Sequence, residues 1–397
     1  MKCEEVFSSL YHFPPTGVTF CPYRICPVGA HIDHQLGLVT GMALDHGIHI
    51  AYHPKQNGVV ELNSLQFNKR AQFHVNATQA TKEGDWADYL RGATLALAAR
   101  HRLSIGMAGV IEGTLPIGGL SSSAAVTISF LLALATVNEL HLSPEEIIQI
   151  AQGAENNYVG VASGTLDQTC EVYCKKGHLL FLDTQDGTME LIPPNPKMKP
   201  YRIAIFFSGL DRSLVKSGFN MRVDECRAAA YSLLAYAGME YGKFRDTAMR
   251  QVPREVFDLY GERLPEPFRH RAMHYFTEME RVQKAVNAWK EGDIEELGRL
   301  SFLSGHSSID EWETGSPELK ELCRIMEGTK GIYGGRFSGC GFRGCCMALI
   351  DPAYTESISE EVSEQYLKKF PELNGKYSIH ICDSADGVLG QGGCIVG

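Results

Sequence analysis

Three separated groups of residues have the types and spacing to do chemistry. The first is LPIGGLSSSAA, Leu115–Ala125, where Gly118 and Gly119 permit a sharp turn and close approach to a ligand, and Leu120 leads into the hydroxyls of Ser121, Ser122 and Ser123. A mostly apolar run follows, so a helix is expected to begin at the serines. Its first N–H groups lack intrahelical partners and carry the positive end of the dipole, which would stabilise a bound phosphate. A glycine turn into a serine-capped core helix accounts for the same residues. The second group is CPYRICPVGAHIDHQLG, Cys21–Gly37, in which Arg24, His31 and Asp33 offer a guanidinium fork, an imidazole and a carboxylate. Such a set grips hydroxyls and phosphate oxygens, or else forms a local ion pair on a surface loop. The third group is acidic. Glu155 falls four residues beyond Ala151 on an apolar helical stripe, which would bury it as a metal ligand or in a salt bridge. Asp167, in GTLDQ, sits among small and apolar neighbours, as a functional carboxylate or as a turn or cap residue.

The elements that must hold these groups follow from periodicity. Alternation predicts strands over Gly47–Tyr52 and Val59–Asn63, and Gly109–Gly113 delivers the chain into the serine loop. Strand, glycine turn and helix in that order is also the setting of a Walker A loop. No Gly-Lys-Ser/Thr follows, so a phosphate site here must work without that lysine. Asp85–Arg100 reads as an amphipathic helix, and Ser143-Pro144-Glu145-Glu146 is a capping box that opens another, with Ile147, Ile148, Ala151 and Ala154 as its apolar stripe. His178–Thr184 and Arg202–Ser208 read as strands, and Met221–Met239 and Ala272–Glu291 as helices. Between those strands LIPPNPKMKP, Leu191–Pro200, is rich in proline and predicts a division into residues 1–195 and 196–397. In GIYGGRFSGCGFRGCCMALID, Gly331–Asp351, the glycines at 339, 341 and 344 match GxGxxG but lead into a strand, Cys345–Ile350. A dinucleotide fingerprint leads into a helix, so that reading is excluded. A glycine turn packed against another backbone or a ligand remains.

Composition narrows the classes. In 397 residues, 44% hydrophobic and 21% charged, 37 basic and 47 acidic side chains give a net charge of -10 without a clustered basic block, which argues against nucleic acid and anionic membrane as partners. The apolar run after Ser123 is too short to cross a bilayer, which takes roughly 18 residues or more. Met1–Leu10 has no sustained apolar region of the signal-peptide kind, so a cytoplasmic protein with reduced thiols is expected from its 12 cysteines.

Taken together, YRICPVGAHIDHQLG, GGLSSSAA and GRFSGCGFRGCCMALI resemble the sugar-binding segment, phosphate loop and C-terminal glycine-rich motif of the GHMP small-molecule kinases, in their galactokinase branch. GTLDQ and GFNMRVDEC, Gly218–Cys226, are similar to further segments of that branch. The resemblance implies an α+β, two-domain GHMP kinase fold, with an N-terminal ribosomal protein S5 domain 2-like half, a C-terminal ferredoxin-like half and the active site in the cleft between them. It also implies transfer of a phosphoryl group from ATP, with Mg2+, to the anomeric hydroxyl of a free sugar. By the resemblance Asp167 and Arg24 are catalytic, Ser123 and Glu155 bind magnesium, and His31, Asp33 and the backbone at Gly164 contact the sugar. Gly118, Gly119, Leu120, Ser121, Ser122 and Ser123, with Gly339 and Gly341, are expected around the nucleotide. The implied partners are a small-molecule sugar or uronic acid and ATP; a monomer is compatible.

Departures from the family pattern bear on the substrate. Galactokinases carry glutamate in GEHTD beside the sugar's C6 hydroxyl, where this chain has Ala30, and a sugar-contacting tyrosine where it has Phe219. Removing that carboxylate abolishes like-charge repulsion and frees volume, so a sugar bearing its own C6 carboxylate becomes admissible. The expected substrate is therefore galacturonic acid, with galactose, or the role of a non-catalytic sugar and ATP sensor, as alternatives. Arg343, in place of a family glycine, could reach a phosphate, a uronate carboxylate or solvent.

Overall fold

A computed structural model of the chain describes residues 1–79, 81–210 and 218–391. Its strands are β1 (Gly17–Ile25), β2 (Leu38–Lys55), β3 (Val59–Ser64), β4 (Lys69–His74), β5 (Gly106–Gly113), β6 (Leu179–Asp183), β7 (Met189–Ile192), β8 (Arg202–Phe207), β9 (Ile332–Phe337), β10 (Cys345–Ile350), β11 (Ser378–Cys382) and β12 (Ser384–Ala385). They form two sheets. The larger runs β4-β3-β5-β2-β6-β7, with β1 and β12 also paired to β2, and the smaller runs β11-β8-β10-β9. All pairings are antiparallel except β3 with β5. β2 is the spine of the larger sheet: it is the longest strand, and it meets β5 along one stretch and β6 along another.

The apolar run after the serines is a helix, Ser122–Val137, and Ile128, Phe130, Leu131 and Leu134 on it are fully buried. A helix apolar on every side is stable only inside a core, and this one packs on β1 and β2. Helix Asp88–Ala98 begins three residues later than the amphipathic pattern suggests, because Asp85 and Asp88 are drawn into an ion pair with Arg91. The expected stripe after Pro144 stops being α-helical at Gly153, and a π-helical turn, Ala154–Val159, carries Glu155. The shift in period aims a residue that a regular helix would have directed elsewhere.

On the smaller sheet, helix Ile294–Asp310 lies so close to β9 that Gly298 and Gly334 face each other backbone to backbone; a Cβ on Gly334 would stand 1.9 Å from the Gly298 carbonyl oxygen. The long helix Glu266–Glu291 packs on Ile294–Asp310 and reaches β2 of the other sheet. All cysteines among the described residues are free thiols, buried except for Cys340. No helix of the described residues is long and apolar enough to cross a membrane.

Candidate active site

The serine loop and the late glycine-rich turn are pressed together. A Cβ on Gly118 would come 2.9 Å from the Gly344 Cα, and one on Gly339 would come 2.9 Å from the Gly119 Cα. Gly118, Gly119, Gly339 and Gly344 all have positive φ, so an L side chain would be strained there as well as blocked. The partner of the GxGxxG turn is thus another backbone. The Gly119 carbonyl accepts from the Ser338 hydroxyl at 2.6 Å and from Arg24 Nη1 at 3.1 Å. The Leu120 carbonyl accepts from the Arg24 backbone N–H at 3.3 Å.

Beside this junction lies a cavity of about 310 Å³, walled by both halves of the chain: Arg24, Ala30, His31, Asp33, Glu155 and Asp167 from one, Phe219, Arg336 and Gly339 from the other. Gly119, Ser121, Ser122 and Ser123 complete the serine side. Four residues expected at the ligand stand behind the wall. Gly118 backs onto Gly344, Leu120 is buried, Gly341 packs against the Phe337 ring, and Gly164 lies so close beneath Asp33 that a Cβ would meet its Oδ2 at 2.4 Å. Gly164 therefore makes room for Asp33. Arg343 is outside the lining.

Asp167 opens helix Leu166–Tyr173 and joins three segments. Its Oδ1 accepts from Arg24 Nε at 2.7 Å and its Oδ2 from the Ser121 hydroxyl at 2.6 Å. Ser121 thus takes the N-cap position with positive φ, but its side chain serves the aspartate and not its own helix. A charge-assisted pair between a buried guanidinium and a carboxylate fixes the position of both groups. Asp33 is different. Burial, reinforced by the charge of Asp167, pushes its carboxyl up to about 6. Burial and Asp167 push Glu155 up to about 7, against hydrogen bonds from Ser123, Ser163 and Gln168. Among the described residues no Lys or Arg pairs with Glu155, and it accepts hydrogen bonds from Ser163 and Gln168. Burial and the charge of Arg336 hold His31 far below the usual imidazole range, so its ring is neutral, and it stacks on Trp312 with planes 3° apart.

Several residues in and behind the wall carry no sequence signal strong enough to single them out. Tyr89 and Ser163, in the lining, look like core and loop residues, and Trp312, stacked behind His31, follows an ordinary acidic helix end. Glu278 is fully buried: it accepts from the N–H groups of Gly29 at 2.7 Å and Ala30 at 3.0 Å and from Ser304 at 2.6 Å, and it pairs with Arg281 at 2.6 Å. It thereby fixes the turn that presents Ala30 and His31. Only its position 249 residues from Gly29 hides it from a reading of the sequence.

A glycine-built loop at the N-terminus of a buried helix, hydrogen-bonded to an Arg–Asp pair and lining with it one cavity of small-molecule size, is the arrangement of a small-molecule phosphotransferase. Residues 88–175 match the family model for the N-terminal domain of GHMP kinases and residues 282–368 the model for their C-terminal region; the chain belongs to the GHMP kinase family. It is 38% identical over 393 residues to a galacturonokinase of Arabidopsis thaliana, covering 93% of this chain and 92% of that one. It is 31% identical to a galactokinase of Roseiflexus sp. (strain RS-1), covering 98% and 96%. The crystal structure of Lactococcus lactis galactokinase complexed with galactose superposes with a TM-score of 0.87 at 25% identity, over 97% of each chain. Methanococcus jannaschii mevalonate kinase, at 16% identity and a TM-score of 0.61 over 93% and 98%, shares the fold. The two-domain α+β GHMP kinase fold is thus established, and with it an enzyme that moves phosphate from ATP to a hydroxyl.

Proposed function

We propose that this enzyme phosphorylates the anomeric hydroxyl of galacturonic acid, giving galacturonate 1-phosphate and ADP. The observation that carries the reading is Ala30 in the cavity wall, where a carboxylate would repel a uronate, together with 38% identity to a galacturonokinase. In this reading the N-terminal half, residues 1–195, supplies the phosphate loop and most of the sugar site, and residues 196–397 close the other wall.

Asp167 accepts a hydrogen bond from the anomeric hydroxyl and orients its oxygen toward the phosphoryl group, whether or not it takes the proton fully. Arg24, hydrogen-bonded to that carboxylate, fixes its direction and offsets charge on the transferred group. His31 and Asp33 receive the sugar's other hydroxyls, and Phe219 covers the ring. The loop Gly118–Ser123 receives the triphosphate. An apolar slot lined by Phe67, Trp86, Ile111 and Val126 opens against Ser122 and Ser123 and has the character an adenine ring requires. A buried carboxylate without a cationic partner among the described residues, next to a serine hydroxyl, fits Mg2+, so Ser123 and Glu155 would hold it. When bound it neutralises charge on the phosphate oxygens.

A coupled ADP-release assay over free sugars and uronic acids tests the reading. Turnover with galacturonate at a kcat/KM at least tenfold above that with galactose is expected. Equal turnover of the two would return the chain to the galactokinase alternative, which the 31% identity to the Roseiflexus enzyme favours. No turnover with any sugar would leave a sensor.

A further inference from the structure

Arg336 lies in β9 and turns its side chain inward. It is 2% exposed and lines the cavity on the wall that holds Cys26, Ala30 and His31. Gly305 on the facing helix leaves it passage; a Cβ there would come 3.1 Å from the Arg336 Cβ. Its guanidinium lies over the Phe337 ring, 5.3 Å from the centroid, and makes two long hydrogen bonds: Nη1 donates to the Cys26 carbonyl at 3.5 Å and Nη2 to the Ser308 hydroxyl at 3.2 Å, while the buried Nε has no hydrogen-bond partner. Among the described residues no carboxylate pairs with it. Arg24, the other guanidinium of the cavity, is neutralised by Asp167. Arg336 is therefore a desolvated cation, always charged, with donors to spare and no counter-charge among the described residues, and such a group strongly favours an anion brought into the cavity.

We propose that Arg336 is the specificity-determining residue that binds the C6 carboxylate of the uronic acid, occupying the space that Ala30 leaves open. The proposal rests on the galacturonate reading above. A planar fork matches a carboxylate in two-point geometry, which a hydroxymethyl group cannot reproduce. Position argues against a phosphate as the anion. Arg336 shares its wall with Ala30 and His31, whereas the serine hydroxyls and Glu155 mark the phosphate side. The neighbouring histidines, His31 and His274, are both held neutral, by burial first and by Arg336 among the lesser causes, so no second cation competes for the carboxylate.

Steady-state kinetics of Arg336→Gln and Arg336→Lys, with galacturonate, galactose and ATP varied in turn, test the assignment. In Arg336→Gln the KM for galacturonate rises on the order of a hundredfold, while the KM values for galactose and ATP move less than about threefold; the lysine variant recovers part of the loss. Equal damage to both sugars, or a rise confined to the KM for ATP, overturns the role of Arg336 and leaves the galacturonate reading standing. A wild-type enzyme that prefers galactose overturns that reading itself. Should the Arg336 variants fail to fold, as judged by circular dichroism, Ala30→Glu serves instead. It sets a carboxylate on the wall of the cavity that holds Arg336 and should raise the galacturonate KM by a similar factor; an unchanged KM overturns the proposal.

Discussion

Asp33 sits over Gly164 with its carboxyl held up to about 6 by burial and by the charge of Asp167. Below that pH it is protonated in the free enzyme, and above it the carboxylate can accept two sugar hydroxyls. Log kcat/KM for the sugar should therefore rise with pH through about 6, and Asp33→Asn should lower the plateau and remove that step. The sign for stability is opposite. A carboxyl whose folded pKa is raised contributes most at low pH, and the contribution is lost as pH rises through about 6. At this scale the sequence is legible where residues share a short segment. Arg24, His31 and Asp33 lie within ten positions, and their types alone suggested a polar grip. The inward direction of Arg336 is not legible there, because it depends on the register of β9 with β10 and on a gap at Gly305, neither of which is local. Arg343 in the same segment carries the more visible departure in sequence, yet it is not among the residues lining the cavity.

Among elements, the close packing of two glycine turns decides the geometry of the phosphate loop. A Cβ on Gly344 would come 2.7 Å from the Gly118 carbonyl carbon, with φ at +106°. Gly344→Ala should cost about 1–3 kcal/mol in backbone strain and push the loop aside. The expected outcome is a KM for ATP raised about tenfold or more, with a lower melting temperature, by kinetics and calorimetry on the same preparation. Glycine spacing made both turns visible in the sequence, and the strand after Gly344 correctly excluded a dinucleotide fold. That the two turns are each other's partner could not be read, since about two hundred residues of intervening chain hide a contact that exists only in three dimensions. The π-helical turn at Glu155 was equally hidden: a stripe of apolar residues fixes a helix's face, but not the extra residue that rotates it.

At the scale of the molecule, Glu278 joins the long helix Glu266–Glu291 to the turn at Gly29 and Ala30, which lines the cavity through Ala30. Burial opposes its charge, yet Arg281, His274 and the Ser304 hydroxyl hold its carboxyl down to about 2. Its contribution to stability is full above the ordinary carboxyl value of 4.5 and is lost as pH falls toward 2. Glu278→Ala leaves Arg281 and two backbone N–H groups without their acceptor, so urea unfolding should show a loss of about 3–5 kcal/mol. Sugar affinity should fall in the same variant, because Gly29 and Ala30 lose their anchor.

The strand β12 has a consequence for how the protein is made. Asp383 exchanges hydrogen bonds with Asp45, 338 positions earlier, and residues 384–387 are stitched to β2 and to the turn at 174–177. On the ribosome, the larger sheet must wait with that strip of β2 uncovered until residues 383–387 emerge. The first-formed half of the sheet thus depends on a strip of chain more than three hundred positions later for its last hydrogen bonds.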